Sequence, residues 1–150
     1  MTLYYLESSA WVKRYLTESG STSIRSLFDR KEPFACCPLG YTEVSAAIAR
    51  QQVVRQISPD RQRILRRHLL ADWNEMLQVP LDQEVIQLAA NFAWEYKLRG
   101  ADAVHLAAGE WLKDSLVMHA ATVVFISADA DLVTAAETRQ FPVLNPEANV

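Results

Sequence analysis

Short apolar runs that alternate with longer amphipathic segments constrain the fold of this chain more than any other feature. Five runs have the length and composition of buried strands, at residues 3–6, 33–36, 77–80, 122–127 and 141–145. The run "TVVFIS" at 122–127 is the clearest, because β-branched and aromatic residues favour strands. Strands that alternate with helices predict crossover connections and a parallel sheet with helices on both faces. The expected fold class is therefore α/β.

Helical periodicity and capping residues mark the segments between these strands. We expect helices over residues 9–18, 20–31, 38–51, 58–77, 82–98, 101–116 and 129–140. Pro38 suits the first turn of its helix, where its missing N–H costs nothing. Ser58 and Asp82 precede their helices as side-chain caps. The tail at 145–150 shows no periodicity, and we expect it to be loose.

Length and composition indicate a globular protein. A chain of 150 residues, half of them hydrophobic and 22% charged, is most simply a single domain over residues 1–150. No apolar run approaches the ~20 residues that a membrane span needs. The N-terminus also lacks the pattern of a signal peptide. We therefore expect a cytoplasmic protein with no membrane association.

Cysteine, histidine and charge content bear on the kinds of site available. The adjacent Cys36 and Cys37 cannot form a zinc site alone, and we expect two small buried residues. The three histidines match no ligand spacing, and none is expected beside the acids. The net charge of −3 does not indicate nucleic-acid binding, but six arginines lie between residues 50 and 67. They form either a solvated helix face or a basic surface for a phosphate backbone or an acidic partner.

Four acids follow the expected strands or begin the expected helices. Glu7 directly follows the first strand, and Asp129 comes just after the fourth. Glu43 lies about a turn and a half into the helix after the second strand, and Asp102 lies in the first turn of the helix at 101–116. The carboxyl ends of parallel strands and the N-termini of crossover helices share one edge of the sheet. The four acids should therefore converge at that edge.

Such a group of carboxylates predicts a cation, because like charges raise one another's pKa unless they are neutralised. Mg²⁺ or Mn²⁺ takes oxygen ligands and retains waters, so it could activate a water and stabilise a departing phosphate oxygen. A structural interpretation is also open for each acid. The helix dipole favours an acid in the first turn by ~0.3–1 kcal/mol, and Ser8 or Ser9 could cap the first helix. Glu43 fits this interpretation less well, because its helix is mostly apolar.

Four segments carry a resemblance to a known family. They are "YYLESSAWVKRYLTESGS", "YTEVSAAIAR", "LRGADAVHLAA" and "FISADADLVTAA", with "FPVLNP" closing the pattern. In this order and at this spacing the chain resembles the PIN-domain nucleases, and within them the VapC-like toxins of prokaryotic toxin–antitoxin pairs. The resemblance implies a three-layer α/β/α sandwich around a short parallel sheet.

The resemblance also implies an activity and its partners. Glu43, Asp102 and Asp129 match the second, third and fourth acids of the family. Family members use these acids with Mg²⁺ or Mn²⁺ to hydrolyse phosphodiester bonds in RNA. The implied function is thus a metal-dependent ribonuclease that acts as a toxin. A cognate antitoxin would block the site, and the toxin would form a homodimer.

Individual residues receive expected roles on this basis. Glu7, Asp102 and Asp129 are the expected metal ligands, and Glu43 binds the ion or orients the water. Ser9 matches a hydroxyl near the site. Two further expectations concern Asp131, as a helix cap or a support for the ligands, and the pair Lys13 and Arg14, as phosphate contacts.

Glu7 departs from the family pattern, which normally has aspartate at this position. The longer side chain carries its carboxylate further, whereas Mg²⁺ tolerates little error around ~2.1 Å. A misplacement near 1 Å can cost on the order of 10²-fold in rate. The alternative function is therefore a catalytically impaired PIN-like module that binds RNA or a protein partner.

Overall fold

Parallel strands form the centre of the computed structural model, which describes residues 1–148; residues 149 and 150 lie outside the described part. The strands are β1 (Thr2–Leu6), β2 (Phe34–Cys36), β3 (Leu77–Gln78), β4 (Thr122–Ile126) and β5 (Val143–Leu144). Their order in the sheet is β3-β2-β1-β4-β5, and every neighbouring pair is parallel. The five predicted strands and their parallel arrangement are confirmed.

Seven α-helices connect the strands. They are α1 (Ser8–Trp11), α2 (Ser21–Asp29), α3 (Pro38–Val54), α4 (Pro59–Glu75), α5 (Gln83–Tyr96), α6 (Gly100–Ser115) and α7 (Ala130–Thr138). The predicted caps are present, since Ser58 Oγ accepts from the Arg61 N–H and Asp82 Oδ1 accepts from the Val85 N–H. With the sheet, these helices form the expected three-layer α/β/α sandwich.

The prediction of one helix over 9–18 is wrong. Helix α1 ends at Trp11, a 3₁₀ helix follows at Val12–Arg14, and the next residues are irregular. Tertiary contacts explain the difference. Trp11 Nε1 donates to the Tyr15 hydroxyl, and that hydroxyl donates to Asp72 of α4. Ser21 at the start of α2 donates to the Leu16 carbonyl, which holds the chain in a loop.

The pairing of β1 with β4 determines which side chains meet at the carboxyl edge of the sheet. Leu6 pairs with Ile126, and both are fully buried. The next residues, Glu7 and Ser127, therefore leave the two strands side by side. The Glu7 N–H still donates to the Ile126 carbonyl at 3.0 Å, so the sheet continues to the first residue of the candidate site.

Three smaller expectations also have an outcome. Cys36 and Cys37 are buried free thiols, as predicted. The predicted loose tail is wrong for part of its length, because Glu147 accepts from Lys13 Nζ at 2.7 Å; its last two residues lie outside the described part. Within residues 1–148, no helix is long and apolar enough to cross a membrane.

Candidate active site

Glu7 lies at the end of the central strand and is 3% exposed. Its side chain caps α1, so the cap is the glutamate and not one of the two serines that the sequence suggested. Oε1 accepts from Ser8 Oγ at 2.8 Å and from the Ser9 N–H at 3.1 Å. Oε2 accepts from Ser127 Oγ at 2.8 Å and from Ser9 Oγ. Four donors thus stabilise the carboxylate, as buried charge requires.

Glu43 projects from α3 toward the same edge. Its Oε1 lies 3.0 Å from Ser8 Oγ, so the single hydroxyl hydrogen of Ser8 is shared between the two glutamates. The same oxygen lies 2.6 Å from Nε2 of His105, a fully buried residue of α6. Burial by itself would raise the pKa of Glu43. The hydrogen bond and charge of His105, with Ser8 and Arg99, hold that pKa below its usual value.

Asp102 and Asp129 share one exposed guanidinium. Asp102 lies in the first turn of α6, and Asp129 is the N-cap of α7, where its Oδ1 accepts from the Leu132 N–H. Arg99 Nε lies 3.2 Å from Oδ2 of Asp102, and Arg99 Nη2 lies 3.3 Å from Oδ2 of Asp129. A cationic group therefore occupies the space between these two carboxylates, although the Arg99 side chain is 80% exposed.

The pKa of Asp102 is raised above its usual value. Burial is the largest cause, and the negative charge of Asp129 adds to it. Arg99 opposes this shift but does not reverse it, while Glu7 contributes further repulsion. Such a carboxylate gains from a nearby cation more than an isolated surface acid does.

Hydrogen bonds and charge link the four predicted acids. Ser8 joins Glu43 to Glu7, and Ser127 joins Glu7 to the backbone N–H of Asp129 at 3.0 Å. The four carboxylates do not form a closed ligand set, however. Within the described chain, the group of three or more ligating side chains whose ligand atoms all lie within 4.8 Å is Cys36, Cys37 and His105.

The donor chemistry nevertheless suits a hard divalent cation. Carboxylate oxygens are the ligands that Mg²⁺ and Mn²⁺ take, and Asp102 and Asp129 already hold a guanidinium between their Oδ2 atoms. The oxygens of Glu7 are bound by hydroxyl and amide hydrogens instead. Its longer side chain can fold back onto the serines that follow it.

Ser9 and Asp131 lie at the margins of this site. Ser9 Oγ accepts from the Ala128 N–H at 2.9 Å and donates to Glu7, so it fastens the loop after β4 to the end of β1. Asp131 is exposed in the first turn of α7, and its charge acts on Arg99. The N-cap of α7 is Asp129, so the prediction that Asp131 caps this helix is wrong, and its supporting role stays a prediction.

Lys13 and Arg14 have carboxylate partners of their own. Lys13 is 2% exposed, and its Nζ lies 2.9 Å from Glu18 and 2.7 Å from Glu147. Arg14 Nε lies 2.6 Å from Asp72. These contacts do not support the predicted phosphate contacts, because both cations are already paired within the protein.

Sequence reasoning missed His105 and Arg99. The expectation that no histidine lies beside the acids is wrong, since His105 contacts Glu43 directly. Residues 99, 102 and 105 are spaced by three, and on a helix this spacing places side chains along one face. That spacing was the available signal. The contact with Glu43 joins two helices, and only the tertiary structure reveals it.

Comparison with known proteins adds independent observations. The sequence profile of the PIN domain matches residues 4–138. A relative named Ribonuclease VapC45, from Mycobacterium tuberculosis (strain CDC 1551 / Oshkosh), is 36% identical over 107 residues. The aligned region covers 71% of this chain and 74% of that relative.

Two solved structures share the fold. FitAcB from Neisseria gonorrhoeae superposes with a TM-score of 0.65 at 14% identity, over 99% of each chain. VapBC-5 from Mycobacterium tuberculosis, described as a member of the VapBC family of toxin–antitoxin systems, has a TM-score of 0.54 at 16% identity, over 95% of this chain and 96% of that one. At such low identity these similarities concern the fold alone.

Proposed function

Because this chain belongs to the PIN-domain family, we propose that it is a metal-dependent endoribonuclease of the VapC type, the toxin of a toxin–antitoxin pair. One observation carries the proposal. Acids from four chain segments lie at one edge of the sheet and are linked through serine hydroxyls, and the guanidinium of Arg99 lies between two of them, Asp102 and Asp129. The relative at 36% identity is named a ribonuclease, which agrees with this chemistry.

Each acid has a proposed role. Asp102, Asp129 and Glu7 would hold Mg²⁺ or Mn²⁺, which supplies positive charge for the phosphodiester and lowers the pKa of a water. Glu43 is kept ionised by His105 and is half-exposed, so it can accept a proton from the attacking water. Ser9 and Ser127 keep Glu7 at the end of β1.

Cleavage of structured RNA tests this proposal. The purified protein is incubated with the RNA and Mn²⁺ or Mg²⁺, beside an Asp102→Asn variant and a sample with EDTA. We expect the parent protein to cleave the RNA when the divalent ion is present. The Asp102→Asn variant and the sample with EDTA should show no cleavage. Equal cleavage by the parent and the Asp102→Asn variant would contradict the assignment.

A Glu7→Asp variant separates an active enzyme from an impaired binding module. An active parent supports the enzyme. A silent parent beside an active Glu7→Asp variant would support the binding module. The ribonuclease name of the relative favours the enzyme.

The proposed partners are an antitoxin protein and a second copy of the chain. VapBC-5, which shares the fold, is described as part of a toxin–antitoxin system. We expect the protein to cleave RNA in the cytoplasm of the expressing cell, and co-expression with the cognate antitoxin to abolish that cleavage. For the second partner, we expect light scattering of the purified protein to give the mass of a dimer. Undiminished cleavage beside bound antitoxin would contradict the first expectation, and a monomer mass would contradict the second.

A further inference from the structure

His105 is a fully buried polar side chain that contacts the acidic site. It lies one turn after Asp102 on α6, it is 0% exposed, and its Nε2 is 2.6 Å from Oε1 of Glu43. Glu43 itself is 34% exposed. The pair therefore connects the interior of the protein to an acid that reaches solvent.

The direction of this hydrogen bond follows from its partners. Glu43 is 34% exposed and its pKa is held below its usual value, so its carboxyl group is ionised at neutral pH. An ionised carboxylate has no proton to donate. His105 must therefore carry its proton on Nε2 and donate it to Glu43.

The other ring nitrogen of His105 lies against a second polar group. Nδ1 is 2.9 Å from the Tyr5 hydroxyl, and that hydroxyl also lies 3.4 Å from Sγ of Cys37. If the ring is neutral, the Tyr5 hydroxyl donates to Nδ1. If the ring is charged, Nδ1 donates to Tyr5 and Tyr5 donates to Cys37. In both arrangements Nε2–H still points at Glu43.

Helix α3 packs closely against the imidazole of His105, and this packing restricts the positions of both His105 and Glu43. A Cβ at Gly40, in the first turn of α3, would collide with Sγ of Cys36 and would lie 3.3 Å from Cε1 of His105. The absence of a side chain at Gly40 thus lets α3 approach the imidazole. Glu43 lies one turn further along the same helix, within reach of Nε2.

We propose that His105 is a positioning residue, which holds Glu43 by Oε1 and leaves Oε2 available to the attacking water. This inference rests on the proposed function, because it assigns a partner to the acid that acts in cleavage. Oε2 of Glu43 accepts no hydrogen bond from residues 1–148, which agrees with this role. Partners that orient an active group typically contribute about 10–100-fold in activity or affinity.

Two substitutions at position 105 test the proposal. His105→Leu removes the donor but keeps an apolar side chain in the core, whereas His105→Gln places an amide N–H near the position of Nε2. We expect His105→Leu to lower kcat by about 10–100-fold with little change in KM. We expect His105→Gln to recover much of that loss. Rates are taken per folded molecule, with the folded fraction measured by urea unfolding.

A cycle with Glu43 excludes a merely structural role. In the Glu43→Ala background, His105→Leu should cause no further loss of kcat, because the group that it positions is gone. An equal loss in both backgrounds would overturn the proposal. Unchanged kcat in His105→Leu itself would do the same.

A measurement without RNA distinguishes failure of this proposal from failure of the proposed function. In nitrogen-15 NMR of the metal-free protein, we expect a slowly exchanging Nε2–H signal of His105 that shifts strongly in Glu43→Gln. An Nε2–H chemical shift that does not change in Glu43→Gln, or an Nε2 without a proton, would overturn the positioning role. Absent RNA cleavage with the expected NMR shift would overturn the ribonuclease function and leave the contact established.

Discussion

The two glutamates and the two aspartates of the candidate site are stabilised in different ways. Glu7 and Glu43, the glutamate pair, receive hydrogen bonds from hydroxyl, amide and imidazole groups of the protein. Asp102 and Asp129, the aspartate pair, share the guanidinium of Arg99, which is 80% exposed. The donors to the glutamate pair include buried side chains and a backbone N–H, whereas the two aspartates share one exposed cation.

This difference explains why the pKa shifts have opposite directions. Hydrogen bonds to the charged form lower the pKa of Glu43, in spite of its burial. Burial and like charge raise the pKa of Asp102, in spite of Arg99. The aspartate pair is therefore the part of the site where a divalent cation has most to contribute.

The largest expected effect concerns activity at the aspartate pair. We expect Asp102→Asn to lower RNA cleavage by more than the ~10–100-fold that loss of a supporting residue costs, while the folded state is retained. Cleavage falls because a proposed metal ligand is lost. The fold is retained because the substitution removes a negative charge that is repelled by Asp129. Cleavage rates and urea unfolding measure the two effects. Asp131→Asn is the matched control, and an equal loss in that variant would contradict the assignment.

The next effect concerns stability at the glutamate pair. We expect Glu7→Gln to reduce the free energy of unfolding by about 1.5–3 kcal/mol, because a buried amide cannot accept from all the donors that hold this carboxylate. Asp129→Asn should change it by less than about 0.5 kcal/mol, because asparagine also caps a helix. Equilibrium urea unfolding without divalent ions gives both values. Similar values for the two variants would remove the contrast between the pairs.

A pH series in EDTA sharpens the same contrast. The folded pKa of Asp102 is raised, so the wild type loses stability as pH rises through that pKa, and Asp102→Asn should become relatively more stable at neutral pH. The folded pKa of Glu43 is lowered, so its contribution is present above its unfolded pKa of about 4.3 and lost as pH falls through the folded value. Glu43→Gln should therefore be destabilised at neutral pH only.

Thermal unfolding of the three proteins between pH 3 and pH 8 measures these differences. We expect them to have opposite signs at neutral pH and to fade on acidification. The same sign for both variants at pH 7 would contradict the assigned directions.

The smallest effect concerns Arg99. We expect Arg99→Met to bind Mn²⁺ severalfold more tightly, because it removes a positive charge that pairs with both aspartates. Titration with Mn²⁺, followed by electron paramagnetic resonance, measures the affinity. Arg61→Met, on an exposed turn of α4, is the control for the loss of one positive charge. Weaker binding in Arg99→Met would show that Arg99 supports the cation.

Local sequence features predicted most of the fold. The composition and length of the apolar runs located all five strands, and the caps at Ser58 and Asp82 located two helix starts. The prediction of a helix over 9–18 was wrong, because Tyr15 and Arg14 bind Asp72, which lies on α4 far along the chain. Local propensity contains no information on such a partner.

For the candidate site too, the sequence predicted the location of the acids, and the tertiary structure decided their contacts. Alternation of strands and helices by itself assigned Glu7, Glu43, Asp102 and Asp129 to one edge of the sheet, because chain direction dictates where strands end and helices begin. Whether these acids hold a metal stays a prediction. The tertiary structure decided which partner each carboxylate has: serine hydroxyls for Glu7, His105 for Glu43, and Arg99 for the aspartate pair. Those partners depend on distances of a few ångströms between elements, and only the packing of the whole chain sets such distances.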